Sequence, residues 1–146
     1  MYEYRGDTEN PIPRKFRVGR AMTGFGLFAT ELIQKGERIV EYVGIILNDV
    51  EAEKKKHSQY LFDVRKNKTI DGTPRWNVAR YANHSCDPNA ESVEERKGAR
   101  IFLEAIRPIY VGEEITFDYG EEFVGEHITP YGCRCASCRL KKELLG

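Results

Sequence analysis

The chain lacks a charge excess. Lys and Arg number 23 and Asp and Glu number 23, so the formal net charge is zero. A domain that wraps phosphates over its surface carries a basic excess, so direct nucleic-acid binding is not expected. Long apolar runs are missing as well, and a membrane span needs about 20 consecutive apolar residues. Membrane partners are therefore not expected either. The first residues, Met1-Tyr2-Glu3-Tyr4-Arg5, lack the basic-then-apolar pattern of a signal peptide. The expectation is an intracellular, soluble protein, nuclear in a eukaryote and cytoplasmic in a bacterium. Cysteine is scarce, at four residues. In a reducing compartment these are metal ligands or thiols rather than disulfides. Linkers, low-complexity tracts and long periodic helices are also absent. What remains is one domain's worth of chain at 146 residues. Such a chain can bury roughly 68–70% of its unfolded surface without disulfide staples. With 40% hydrophobic residues, it is not a disordered chain.

Basic residues are missing from one particular stretch. Between Arg107 and Arg134 there is no Lys or Arg, whereas Glu113, Glu114, Asp118, Glu121, Glu122 and Glu126 all fall there. Such a run is ordinarily a solvated face. It can also attract a basic partner.

Short segments rich in β-branched and aromatic residues, cut by glycines, predict a mainly β domain. The expected strands are Phe16–Arg20, Gly26–Ala29, Arg38–Val43, Tyr60–Val64, Glu91–Arg96, Arg100–Ile106 and Glu114–Tyr119. Residues 1–14, with Pro11 and Pro13, read as an irregular lead-in. One helix is expected from about Asp49 to His57. Asn48 caps it, Glu51 stands at capping-box spacing, and Glu51 and Lys55 form an i,i+4 pair. A second short helix is expected near Trp76–Tyr81. Ile33–Ile39 echoes Ile109–Ile115, and both copies read as similar hairpin turns.

The cysteines concentrate chemistry. Cys133, Cys135 and Cys138 fall within six residues, and the only other cysteine is Cys86. Structural zinc takes four ligands in a tetrahedron. An all-cysteine Zn2+ site therefore needs the C-terminal segment to fold back onto Cys86. His84 and His127 are the alternative fourth ligands. A disulfide with thiols, or an iron–sulfur cluster, are the competing readings. The run Arg80-Tyr81-Ala82-Asn83-His84-Ser85-Cys86-Asp87-Pro88-Asn89 is turn chemistry dense in functional groups. His84 beside Ser85 and Cys86 is not by itself a hydrolase site, because sequence adjacency is not triad geometry.

Asn83-His84-Ser85-Cys86-Asp87-Pro88-Asn89, followed by Phe117-Asp118-Tyr119-Gly120, resembles the SET-domain family of protein lysine methyltransferases. Gly24-Phe25-Gly26-Leu27-Phe28-Ala29, the stretch from Gly36-Glu37 to Glu41-Tyr42-Val43-Gly44, and Gly112-Glu113-Glu114-Ile115-Thr116 match the family in order. The closing cysteines resemble its post-SET zinc motif. The spacing across Ala136-Ser137 is shorter than in the common motif and resembles the branch associated with MYND zinc fingers. The resemblance spans about residues 16–140. It implies small β-sheets with few short helices, a threaded C-terminal segment and a zinc-binding tail. In these terms 1–15 is a lead-in, 16–120 the SET domain and 121–146 the post-SET-like segment.

The implied activity is methyl transfer from S-adenosyl-L-methionine to a lysine of a basic protein such as a histone. By resemblance Tyr119 is the main catalytic tyrosine. Tyr42 and Tyr60 line the lysine channel, and Phe117 tunes how many methyls are added, favouring di- or trimethylation. Gly24, Phe25, Gly26, Arg80, Asn83 and His84 hold the cofactor, and Leu140 covers its adenine. Cys86, Cys133, Cys135 and Cys138 hold zinc. A non-catalytic zinc-stabilised peptide-binding module, and a SET enzyme acting on a non-histone protein, are the alternatives.

Overall fold

A computed structural model describes residues 1–22, 24–120 and 135–145. Two antiparallel-dominated sheets carry the fold, and the expected β-rich architecture is the one observed. The smaller sheet holds β1 (Tyr2–Tyr4), β5 (Gly44–Leu47), β6 (Leu61–Arg65) and β7 (Lys68–Asp71), in the order β1-β5-β7-β6. The larger runs β2-β3-β11-β9-β10-β4, with β2 at Phe16–Ala21, β3 at Gly24–Ala29 and β4 at Arg38–Tyr42. Its remaining members are β9 (Ala90–Glu95), β10 (Arg100–Ala105) and β11 (Glu114–Phe117), and the short β8 (Asn83–His84) pairs β11. Alternation explains the burial. In β10 Ile101, Phe102 and Leu103 are all buried because both faces are covered, whereas β9 keeps Glu91 and Glu94 in solvent. Leu27, Ile33, Ile101, Leu103, Ile109 and Ile115 are essentially fully buried at the centre. Each such side chain contributes about 1.5–3 kcal/mol by leaving water.

The expected strands all form, with ends shifted by a few residues. Some finer expectations are corrected. Tyr2–Tyr4 is not irregular, because it pairs antiparallel with β5. The helix α1 ends early, at Asp49–Lys54, although its Asn48–Glu51 capping box is present. Lys55 does not pair with Glu51. It is the C-cap, and its ammonium reaches Asp71 at 2.9 Å. The short helix expected near Trp76–Tyr81 forms as the 3-10 helix η1 (Val78–Tyr81).

The two echoed Gly turns are not hairpins. They face each other across an Ile33–Ile109 bridge. Gly36 N–H donates to Ala105 O at 2.7 Å, and Gly112 N–H donates to Ala29 O at 2.8 Å. Each turn thus seals the end of a strand in the large sheet. Both glycines have φ near +90°, at 88° and 89°, a conformation other residues adopt at a cost.

β11 is inserted between β3 and β9, and β8 and β9 run parallel to it. Asn89, only 3% exposed, donates to Glu114 O and accepts from Thr116 N–H at 2.8 and 3.0 Å. Ser85 N–H donates to Phe117 O at 3.1 Å. The 82–89 segment therefore clasps β11 along its length. This clasp delivers residues 117–120 to the cleft between the sheets.

The Lys55–Asp71 pair ties α1 to the small sheet. Burial pushes the Asp71 carboxyl up, but the Thr73 hydroxyl at 2.6 Å and Lys55 outweigh it and hold the group below the ordinary carboxylate range. A depressed folded-state value contributes stability above the unfolded value of about 3.9, and that stability is lost as pH falls through the folded value. Lys55 is 43% exposed, so solvent screens the pair. Lys55→Met is expected to lower stability by about 1–2 kcal/mol at pH 7. The difference from wild type should shrink as pH falls below the unfolded value of about 3.9 and through the depressed folded value. Denaturant melts at pH 7 and pH 3 check this, and an equal difference at both pH values refutes it.

Candidate active site and metal centre

A cleft opens between the sheets. Tyr42, Tyr60, Arg80, Asn83, Phe117 and Tyr119 line it, together with residues of α1 and β6. The structure thus brings together side chains from β4, η1, β8 and β11 that lie far apart in sequence. Tyr119 is held from several directions. Its hydroxyl donates to Ala82 O at 2.6 Å, and its backbone N–H donates to His84 Nδ1 at 3.1 Å. Its ring lies 4.8 Å from the buried Phe117 and 5.3 Å from the His84 ring. Tyr42 is buried on β4, packs on Phe62 at 5.3 Å, and donates its hydroxyl to Tyr60 O at 2.7 Å.

Burial holds both the Tyr119 and the Tyr42 hydroxyls well above the ordinary tyrosine range. Both stay protonated across working pH, so neither is a general base. Each has one proton committed to a backbone carbonyl and keeps its oxygen lone pairs as acceptors.

Arg80 stacks its guanidinium over the Tyr60 ring, 4.4 Å from the centroid, and lies 5.4 Å from Tyr81. Among the described residues its buried Nε has no hydrogen-bond partner, which is uncommon for so polar an atom. Phe25 is 57% exposed on β3 and meets Tyr81 edge-on at 6.0 Å. Gly24 has φ of 121° with open space where a side chain would stand, whereas the neighbouring Gly26 is buried. Asn83 donates to Phe25 O and to Glu114 Oε2, both at 2.8 Å. Both of its amide hydrogens are thus spent tying β8 to β3 and β11. Toward a ligand it offers its oxygen and its backbone. A polar group of anionic character suits the buried Arg80 Nε, which lines the cleft and lacks a partner among the described residues. The exposed Phe25 ring and the uncrowded Gly24 backbone lie on β3 beside Tyr81 and Asn83, outside the lining of the cleft.

The cysteines do meet. The Sγ atoms of Cys86, Cys135 and Cys138 lie within 4.8 Å of one another, with Cys138 and Cys86 3.6 Å apart. A tetrahedron with Zn–S of about 2.3 Å has edges of about 3.8 Å, so the sulfurs suit a zinc ion. Cys135 Sγ also accepts from Cys86 N–H at 3.5 Å and Cys138 N–H at 3.4 Å. Backbone donors of this kind suit a thiolate. Cys133 and His127 lie outside the described residues. His84 does not turn a lone pair to the cluster. Its Nδ1 accepts from a backbone N–H, which puts the ring proton on Nε2, 3.4 Å from Cys86 Sγ. Burial holds this imidazole below the ordinary range, with Asp118 working the other way, in keeping with that neutral form. Leu140 sits on α2 (Ala136–Leu145), 57% exposed.

A SET-domain family model matches residues 24–120. The chain belongs to the SET-domain family. It is 39% identical over 136 residues to the histone-lysine N-methyltransferase Set2 of Drosophila melanogaster, covering 86% of this chain and 6% of the relative. Trithorax of Drosophila virilis, another histone-lysine N-methyltransferase, is 36% identical over 83% of this chain and 3% of its own. A histone-lysine N-methyltransferase of Cryptococcus neoformans, named as H3 lysine-4 specific, is 34% identical over 86% of this chain and 10% of its own. This SET domain therefore spans a small part of the curated relatives it matches. Among its described residues no helix is long and apolar enough to cross a membrane.

Several residues that build the site gave no signal in the sequence. Ala82 acts through its carbonyl, which any residue supplies. Glu114 stands in an expected strand and in a family-matching stretch, but neither signals that its carboxylate anchors Asn83. Asn77 is 0% exposed, a burial that nothing in its local sequence announces.

Proposed function

We propose that this SET domain is the catalytic unit of a protein-lysine N-methyltransferase that uses S-adenosyl-L-methionine. The observation that carries the proposal is the pinned Tyr119 hydroxyl in a cleft shared with Tyr42, Tyr60 and Phe117. S-adenosyl-L-methionine supplies an electrophilic methyl when bound. Gly24, Phe25, Arg80 and the Asn83–His84 strand are the residues that would hold it. Deprotonating a lysine of pKa about 10.4 at pH 7 costs roughly 4–5 kcal/mol. Burial among aromatic rings lowers that cost by disfavouring the ammonium form. The protonated Tyr42 and Tyr119 orient the neutral amine through their hydroxyl oxygens and offer electron density to a methyl carrying partial positive charge. Alignment of the reacting groups then accounts for much of the rate.

The substrate is a lysine in a basic protein, with a histone the first candidate given the names of the relatives. Glu113, Glu114 and Asp118 precede or adjoin Tyr119 and steer such a chain toward it. In a eukaryote this places the work in the nucleus. The cysteine cluster holds zinc, completed by Cys133, and Leu140 covers the adenine. The test is transfer of label from methyl-labelled S-adenosyl-L-methionine to a panel of core histones and non-histone basic proteins. Label on a non-histone protein alone keeps the chemistry and changes the substrate. A folded, zinc-loaded protein that binds a basic peptide but neither binds nor uses the donor would be a peptide-binding module instead.

Phe117 packs against Tyr119 without a hydroxyl of its own. It leaves room for an amine that already bears methyls, so di- or trimethylation is expected. Phe117→Tyr should shift the products toward monomethyl-lysine, as read by mass spectrometry. An unchanged product ladder would mean that Phe117 only packs.

A further inference from the structure

Asn77 is 0% exposed, and no reading of the cleft so far uses it. Its Oδ1 accepts from Val43 N–H at 3.2 Å, and its Nδ2 donates to Gly72 O at 3.0 Å. Val43 directly follows Tyr42 at the end of β4. Gly72 follows the last residue of β7, and its N–H donates to Tyr60 O at 2.9 Å. That same Tyr60 carbonyl accepts the Tyr42 hydroxyl. One buried amide therefore closes a ring that runs from Tyr42 through Val43, Asn77, Gly72 and the Tyr60 carbonyl back to the Tyr42 hydroxyl. The ring joins the large sheet to the small one beside the cleft tyrosines. Gly72 is required in it. A Cβ there would stand 2.6 Å from Asn77 Nδ2 and overlap the Tyr42 ring and hydroxyl.

We infer that Asn77, with Gly72, is a positioning residue that fixes the Tyr42 hydroxyl and so the shape of the lysine channel. The inference rests on the reading of Tyr42 as a channel wall. An apolar residue of similar size would fill the same space. It would leave Val43 N–H and Gly72 O buried without partners, which an unrelated packing role would not require.

The test is a double-mutant cycle on the full chain. Asn77→Ser and Asn77→Asp remove the amide in two different ways, and whichever variant folds is used. Turnover is expected to fall about 10–100-fold, the range seen when reacting groups are misplaced by an ångström or less. Donor affinity, read by calorimetry, should stay within about 2-fold, because the brace lies on the lysine side. In a Tyr42→Phe background the same change should cost less than about 2-fold, because the hydroxyl it positions is gone. Full additivity overturns the brace while leaving the channel reading standing. Tyr42→Phe that alters neither turnover nor the product ladder overturns the channel reading and the brace with it. A further measurement needs no variant. The Asn77 side-chain amide protons in the wild type should be as protected from exchange as the Ile70 backbone amide, and rapid exchange overturns the inference.

Discussion

Tyr119→Phe is expected to lower methyl transfer about 10²–10³-fold while the donor still binds. The magnitude follows from removing one preorganised polar group at a reacting centre. The direction follows from the hydrogen bonding. The hydroxyl proton is committed to Ala82 O at 2.6 Å, so the oxygen meets the cleft only as an acceptor. An acceptor is what a lysine amine or a partly positive methyl needs. Phenylalanine keeps the ring contacts with Phe117 and His84, at 4.8 and 5.3 Å, so packing survives. It leaves Ala82 O without that donor, at a stability cost of about 1–3 kcal/mol. The pH dependence separates this reading from general-base catalysis. Burial keeps Tyr119 protonated, so the wild-type rate should climb with pH as the bound lysine loses its proton. The variant should climb along the same curve at lower height. A variant with wild-type turnover, or one whose profile loses a tyrosine ionisation, would refute the assignment.

The parts of this site legible in the sequence were those carried by unusual residue types at close spacing. The spacing of Cys133, Cys135 and Cys138 predicts a metal site, and simple counting points to Cys86 as a partner. In the structure Cys86 joins Cys135 and Cys138. The capping box at Asn48 and Glu51 was legible because it is local. What stayed hidden depends on tertiary pairing. Tyr2–Tyr4 becomes a strand only because β5 offers it an edge. The Ile33 and Ile109 turns look like hairpins until each is seen sealing a strand elsewhere. Lys55 sits one turn from Glu51, yet the buried Asp71 carboxylate binds it because a desolvated partner gains more from a cation than an exposed one does. Asn83 shows the same limit within a recognised motif. Its residue type suited ligand recognition, but both amide hydrogens serve the fold. Asn77 and Gly72 carried no local signal, since what matters is the distance between two sheets.

Cys86→Ser is expected to abolish metal binding and to lower methyl transfer by about 100-fold or more, although Cys86 lies outside the cleft. The coupling runs through the 82–89 segment. Cys86 follows the residues that hold Tyr119 by its hydroxyl, at Ala82 O, and by its backbone, at His84 Nδ1. His84 spans the two sites, with Nε2 3.4 Å from Cys86 Sγ. A metal ligand whose partner also sets a catalytic group couples occupancy to geometry, and changes to such partners cost about 10–100-fold. Loss of the ligand itself should match or exceed that. The helix α2 raises the stakes. Leu140 and Leu144 are 57% and 77% exposed, so apolar burial at these positions contributes little to docking it. Beyond the cysteines, its described tie to the large sheet is Arg139 Nη1 on Met22 Sδ at 2.9 Å. Metal binding in small zinc modules supplies about 10–16 kcal/mol, far more than that contact. On the proposed zinc reading, chelation should therefore release the metal and expose residues 135–145 to protease, with the sheet core still folded. His84→Gln should retain zinc yet lose about 10-fold in turnover, because the bridge to Tyr119 is broken while the sulfurs remain. Full activity and an intact C-terminal segment after complete zinc removal would refute the coupling.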